Sequence, residues 1–346
     1  MNKVDILALS ENEIESLVVE LGGKKFTAKQ VFDWLHNKLA ICIDDMTNLP
    51  KDFRDKLNEK CEITRLKRKK REVSKLDNSV KFLFELADQE LIETVLMKYK
   101  DHMTLCVSSQ VGCAVNCVFC QTGKGGFVRN LTATEIVNQY YEVEREVKKS
   151  GGHVRNIVFM GMGEPLLNLG NVVEAITILG NENGQNVSIR RISVSTAGIL
   201  PGIEELLIDE FPLTLSISLH ATTDEQRSRI MPINKRYSLK ELIETLRLYQ
   251  SRTGRKITFE YILIKDFNMT RDDANRLREI TKSFICNVNL IPYNPIENCE
   301  FESPGRTEIE RFTSQLERLG VNVTLRASKG RDIQGACGQL RKREIK

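Results

Sequence analysis

No stretch of the chain is apolar for long enough to cross a bilayer. The opening Met1-Asn2-Lys3-Val4-Asp5-Ile6 has no signal-peptide apolar core either. Membrane-spanning and secreted classes are therefore not expected, and a cytoplasmic location is. The nine cysteines are an odd number, clustered rather than spread, which argues against a disulfide framework and for a reducing compartment. There is no internal repeat and no low-complexity segment. An excess of one charge is also missing: 51 Lys and Arg against 47 Asp and Glu leave a net +4, which decides little about partners. What remains is a globular composition, 41% hydrophobic and 28% charged, in 346 residues. That length suggests one large domain and a smaller one.

The stretch with the most chemical content is Cys113-Ala-Val-Asn-Cys117-Val-Phe-Cys120. Its spacing suits one wrapped loop whose thiolates converge on an inorganic centre. A structural zinc ion wants four protein ligands, usually paired two by two, and a ferredoxin cluster also wants four thiolates. Here there are three, with no fourth cysteine close by. A 4Fe–4S cluster held by three cysteines keeps one iron open for a chelating ligand, and in radical chemistry that ligand is S-adenosylmethionine. Phe119 supplies an apolar wall beside the last cysteine. A zinc loop with a distant fourth ligand, or a chance cluster of buried thiols, is the other reading of the same residues.

Along the chain, residues 1–64 carry three helical patterns. The first follows Ser10 with Ile14, Leu17, Val18 and Leu21, the second starts at Thr27 and the third lies near Pro50. They suggest a helical accessory domain and a candidate RNA-binding unit. Residues 65–100 read as a basic linker and a β-hairpin turning at Asp88-Gln89. Six of the seven residues 65–71 are basic, and the tail from Arg326 carries seven basic residues against two acidic ones. Two such patches on a nearly balanced chain fit a polyanion, or equally a solvated linker and a frayed end. Between 101 and 300 strands alternate with helices, and Thr132 with Glu135 forms a capping box. This predicts an α/β fold, a partial (β/α)6 barrel with parallel strands and right-handed crossovers. Residues 301–346 add a helix, a strand and a glycine-containing tail.

In such a barrel, functional groups collect at the carboxyl ends of the strands. Those ends read Gly161-Met-Gly163-Glu164-Pro165, Ser195-Thr196, Ser218-Leu219-His220 and Pro292-Tyr-Asn294-Pro295. Glycines allow close approach to a ligand, and Glu164 can accept from an ammonium. Each end is also explicable alone as a polar cap or tight turn; four on the face that bears the cysteine loop favour a shared site. Cys106 lies in the strand before the loop, and Cys337 stands between glycines in Gly335-Ala-Cys337-Gly338. The glycines suit a nucleophilic thiol. A buried hydrophobe and an exposed tail thiol are the plainer alternatives. Cys42, Cys61, Cys286 and Cys299 have no partner pattern and are taken as structural.

Taken together, these motifs resemble the RlmN/Cfr family of radical-SAM RNA adenine methyltransferases. The resemblance runs from Ile92-Glu93-Thr94-Val95 through Leu105-Cys106-Val-Ser-Ser-Gln110, the 113–120 loop, Arg129-Asn-Leu-Thr132 and the strand ends to Ala336-Cys337-Gly338-Gln339-Leu340. It is strongest for the RlmN branch, which methylates carbon 2 of adenosine; the Cfr branch, acting on carbon 8, is the near alternative. The resemblance implies a cluster on Cys113, Cys117 and Cys120, and S-adenosylmethionine, used twice per turnover, bound by Gly163, Glu164, Ser195, Ser218, Leu219, His220 and Asn294. It implies that Cys337 carries a methyl group, that Glu93 accepts the ring proton, and that Cys106 frees the product through a transient disulfide with Cys337. Without the resemblance Glu93 reads as an exposed carboxylate on a hairpin strand. The implied substrates are 23S ribosomal RNA and transfer RNA, with a one-electron donor such as flavodoxin and a monomeric state. An iron–sulfur RNA-binding module without turnover fits the basic runs equally well but has no use for Cys106, Cys337 and Glu93. A radical enzyme acting on a small molecule leaves the basic runs and the accessory domain unexplained.

Overall fold

The computed structural model describes residues 3–209 and 211–340. Helices α1 (Glu11–Glu20), α2 (Lys25–His36) and α3 (Lys51–Lys60) make the accessory domain. Ser10 caps α1 in a capping box with Glu13, as its pattern predicts. α2 begins two residues before Thr27 and has no side-chain cap; Thr27 is buried within its first turn. Ile14, Val18, Val31, Leu35, Phe53 and Leu57 are buried between the three helices.

The rest of the molecule is built on one ten-stranded sheet. Its strands are β1 (Lys67–Val73), β2 (Val80–Glu85), β3 (Leu91–Lys98), β4 (Met103–Cys106), β5 (Asn156–Phe159), β6 (Ile192–Thr196), β7 (Thr214–Ser218), β8 (Ile257–Leu263), β9 (Cys286–Pro292) and β10 (Val323–Leu325). Each strand pairs with its sequence neighbours, so the sheet runs from β1 to β10 without a strand out of order. β1 to β4 are antiparallel and β4 to β10 are parallel. The parallel part is the expected partial barrel, open because β1 and β10 are both edges. The segment 65–100 is not a linker with a separate hairpin. Its basic run is β1, and the meander joins the barrel sheet through β3–β4 pairing.

Helices α4 (Ala133–Lys149), α5 (Leu169–Gly180), α6 (Leu200–Ile208), α7 (Asp224–Ile230), α8 (Leu239–Thr253), α9 (Arg271–Thr281) and α10 (Arg306–Arg318) connect the parallel strands. Thr132, Ser238 and Thr270 cap α4, α8 and α9. One face of the central strands packs against the helical layer: Ile257, Phe259, Tyr261 and Leu263, alternate residues of β8, are all fully buried. The accessory domain docks on this helical layer through His36, whose Nδ1 lies 2.7 Å from the Tyr141 hydroxyl of α4. Arg145 donates to the Leu39 carbonyl at 3.0 Å across the same interface.

Candidate active site

The chain leaves β4 at its carboxyl end and wraps at once into the cysteine loop. Gly112 makes the turn at φ +76°, where a Cβ would lie 1.8 Å from the Gly126 carbonyl oxygen. The loop is held by its own amides: Cys113 N–H donates to Gly126 at 3.0 Å, Val118 to Ile230 at 2.9 Å and Cys120 to Cys117 at 3.0 Å. Cys113, Cys117 and Cys120 all line one cavity, with Phe119 beside them. Burial pushes the Cys113 thiol up to about 12 and the Cys117 thiol well above its ordinary range. Thiols so placed ionise when a metal centre replaces their protons.

The opposite wall is made by the strand ends. Gly163, Glu164, Ser195, Ser218, His220 and Asn294, all singled out in the sequence, line this same cavity. Leu219 does not: its side chain is fully buried in the main core, and only its backbone stands at the end of β7. Side chains alternate along a strand, so the residue between Ser218 and His220 faces away.

Glu164 is 4% exposed and its oxygens accept from Ala197 N–H at 2.7 Å and Leu166 N–H at 3.1 Å. Burial still pushes its carboxyl up to about 7, outweighing the hydrogen bonds that favour the charged form. Gln110 accepts from the Glu164 N–H at 2.8 Å, and donates to Asn130 at 2.8 Å, which explains two of the polar motif positions. Gly163, at φ +104°, packs against Gln110, whose Cβ would lie 2.6 Å from an added Cβ. His220 accepts Ile262 N–H on Nδ1 at 3.1 Å and is held neutral by burial, its pKa lowered to about 3. Its ring stands edge-on to Phe119 at 4.8 Å between centroids.

Cys337 is brought to this site by the tail rather than by a strand. Gln121 N–H donates to the Gly338 carbonyl at 2.7 Å, and the Thr122 hydroxyl to the Leu340 carbonyl at 2.6 Å, so the tail is seated on the cysteine loop. Asn294 Nδ2 donates to the Cys337 carbonyl at 3.2 Å. Cys337 is exposed, but the surface it exposes belongs to two cavities. One is the cavity just described; the other contains buried Cys106. The crowding raises the Cys337 thiol through burial, while the Arg326 guanidinium works in the opposite direction. Burial pushes the Cys106 thiol up to about 12.

Glu93 differs from its sequence reading. It is 1% exposed rather than exposed, because the tail that carries Cys337 covers this face of the sheet. Its Oε1 lies 3.3 Å from Nζ of Lys81, also 1% exposed. It lines neither cavity. Two wall residues escaped the sequence reading. Glu260 sits inside the apolar run of β8, and a lone carboxylate there was the available signal. Arg326 was read only as part of a basic tail, yet it lines both cavities and lies 3.6 Å from Glu260.

Three thiols, Cys113, Cys117 and Cys120, line the cavity; a structural zinc site wants four protein ligands, whereas three suit a 4Fe–4S cluster that keeps one position open. Asn294 Oδ1 is buried in the wall without a hydrogen-bond partner, and Glu260 Oε2 is buried there facing the Arg326 guanidinium at 3.6 Å. Together with the neutral hydroxyls of Ser195 and Ser218, they offer acceptors and donors for a ligand bearing an ammonium, a carboxylate and ribose hydroxyls. The residues present fit a 4Fe–4S cluster and S-adenosylmethionine.

Comparison with known proteins agrees. The Radical SAM superfamily profile matches residues 107–277, and the ribosomal RNA large subunit methyltransferase N-terminal domain matches residues 4–63. A protein of Alkaliphilus oremlandii named "probable dual-specificity RNA methyltransferase RlmN" is 42% identical over 345 residues, 100% of this chain and 99% of that protein. One of the same name from Thermosipho melanesiensis is 44% identical over 344 residues, 99% of each. The crystal structure of a radical SAM methyltransferase from Sphaerobacter thermophilus superposes with a TM-score of 0.93 at 41% identity, over 97% of this chain and 99% of that one. The chain therefore belongs to the RlmN family: it is an S-adenosylmethionine-dependent RNA methyltransferase of the radical-SAM class, with a 4Fe–4S cluster as its second cofactor.

Proposed function

We propose that this enzyme methylates carbon 2 of an adenosine in 23S ribosomal RNA at the peptidyl transferase centre, and of the adenosine 3′ to the anticodon in transfer RNA. The observation that carries this reading is the position of Cys337, in the wall between the cavity of the cysteine loop and the cavity of Cys106. A thiol there can be loaded from one side and relieved from the other. Cys113, Cys117 and Cys120 would hold the cluster, and Gly163, Glu164, Ser195, Ser218, His220, Asn294 and the backbone at Leu219 would hold S-adenosylmethionine. When bound, one S-adenosylmethionine would supply a methyl cation equivalent, and a second, with an electron from the cluster, a one-electron abstraction of hydrogen.

The protein's own atoms do the rest. Cys337 sulfur, having lost its proton, attacks the methyl carbon of one sulfonium; S-adenosylhomocysteine leaves and the residue becomes S-methylcysteine. After loss of one hydrogen atom, the methylene carbon bonds to adenine carbon 2, which is not nucleophilic enough to attack a sulfonium. Loss of one electron, taken up by the oxidised form of the external one-electron carrier, and of the ring proton, taken up by Glu93, restores the aromatic ring and leaves RNA joined to Cys337 through a thioether. Cys106 then attacks Cys337 sulfur; the carbon–sulfur bond breaks, its electron pair stays on carbon and is protonated, and a disulfide remains for an external thiol to reduce. Arg326, on the wall shared by both cavities, favours thiolate in Cys106 and Cys337 alike. A one-electron donor such as flavodoxin, a monomeric state and a cytoplasmic location complete the reading. Reduced protein, S-adenosylmethionine and unmodified RNA should give 2-methyladenosine by mass spectrometry. 8-Methyladenosine instead, or no methylated adenosine, overturns it.

A further inference from the structure

Across β1, β2 and β3 three charged side chains share one face of the sheet. Glu72 stands directly opposite Lys81, and Lys81 is diagonal to Glu93, which pairs with Leu83. Cross-strand and diagonal neighbours on one face lie within reach of long side chains. Lys81 Nζ is 3.4 Å from Glu72 Oε2, 3.3 Å from Glu93 Oε1 and 3.4 Å from the Gln334 carbonyl oxygen. The face is covered by the tail that carries Cys337. Gly330 N–H donates to Asp77 at 2.8 Å, Lys75 N–H to Asp332 at 2.8 Å and the Ser74 hydroxyl to Asp332 at 2.7 Å. These anchors sit on the β1–β2 turn, so they hold the tail without help from Lys81.

A carboxylate as buried as Glu93 requires a compensating charge and a fixed orientation. Lys81 gives it both, and by reaching the Gln334 carbonyl the same ammonium refers Glu93 to the segment three residues before Cys337. We propose that Lys81 is the positioning residue of the proton-transfer step: its ammonium fixes the Glu93 carboxylate beneath the tail that carries Cys337, ready to take the proton of the ring attached there. This rests on the reading that Glu93 accepts the ring proton. No atom is transferred to or from Lys81; when Glu93 takes the proton, Glu72 and the Gln334 carbonyl keep the ammonium in place.

The test uses reconstituted full-length Lys81→Met, Lys81→Arg and Glu93→Gln proteins, reduced, with S-adenosylmethionine and unmodified RNA. Three quantities are followed: methyl on Cys337, RNA-linked protein on a denaturing gel, and methylated adenosine. Loading of Cys337 should stay within about twofold of the parent in both Lys81 variants, because it precedes the step at issue. Product should form about 100-fold more slowly in Lys81→Met, the cost of a misplaced group, and RNA-linked protein should accumulate. Lys81→Arg keeps the charge with a different fork and should slow the same step about 10-fold. Should Lys81→Met not fold, as judged by circular dichroism, Lys81→Arg decides alone. Parent-like product formation while Glu93→Gln stalls overturns the proposal, as does loss of Cys337 loading in step with product, which would make Lys81 a support for the tail only. Normal turnover of Glu93→Gln would instead overturn the assignment of Glu93 and the proposal with it.

Discussion

The cysteine loop at 113–120 and the basic strand β1 are the two most conspicuous stretches of the chain, and the fold uses them in opposite ways. The loop's three thiols end at one cavity, facing the polar ends of four strands. The basic side chains of β1 are met by carboxylates: Lys67 and Lys69 by Glu85, Arg68 and Arg71 by Glu146, and Lys70 by Glu72, all between 2.6 and 3.3 Å. A ligand set encoded within eight residues converges wherever its loop is placed. A charge run has no such guarantee, because its availability depends on what comes from elsewhere, here β2 and α4. On an edge strand such lysines and arginines also discourage pairing with another chain, a sufficient reason for them without any polyanion.

Several variants would break or sharpen that contrast. The largest effect is expected at the loop. If Cys113, Cys117 and Cys120 are the cluster ligands proposed above, Cys117→Ala should make the purified protein lose iron and visible absorption together; unchanged iron would show that the loop holds no cluster. Next come the two thiols that meet only through the fold. Cys337→Ala should give neither methylcysteine nor methylated RNA while keeping its iron. Cys106→Ala should still load Cys337 and join RNA, then accumulate a nuclease-sensitive band on a denaturing gel. Normal turnover by Cys106→Ala would leave that residue a packed strand thiol.

His36 gives a smaller effect, in stability, where the accessory domain meets α4. Burial lowers its pKa to about 4, and its Nε2 has no partner for a second proton. The unfolded chain takes up that proton near its ordinary value of about 6.5. Between 6.5 and 4 the unfolded state therefore binds more protons, and stability, full above this window, is lost as pH falls through it, by up to about 3 kcal/mol. Denaturant midpoints across this range should show the slope, and His36→Phe should flatten it. A slope that survives the substitution would assign it to other groups. The smallest effect is expected from β1. Five free phosphate contacts would contribute about 0.9 each to the salt slope of RNA binding. Replacing Lys67, Arg68, Lys69, Lys70 and Arg71 with neutral residues should reduce the slope by only about one, because existing ion pairs already occupy them. A reduction by about four would mean that RNA displaces Glu85 and Glu146.

Much of the architecture is written in local signals that tertiary packing does not override. Capping residues at 10, 132, 238 and 270 start their helices, alternation of strand and helix implies a parallel sheet, and polar groups after apolar strands mark one end of it. The cysteine spacing belongs to the same class, since its chemistry needs only neighbours in sequence. What the chain could not show locally are the meetings of distant segments. Periodicity shows Lys81 and Glu93 on adjacent strands of a hairpin, but only the covering tail at 330–334 makes them a buried pair. Ser218 and His220 reach the cavity while Leu219 does not, a matter of strand orientation in the finished sheet. Glu260, Arg326, Cys106 and Cys337 come together from β8, the end of β10, β4 and the tail. The physical reason is the same each time. Hydrogen-bonding and spacing preferences act over a few residues and are legible one segment at a time, whereas burial and charge compensation depend on which segments the finished sheet places together.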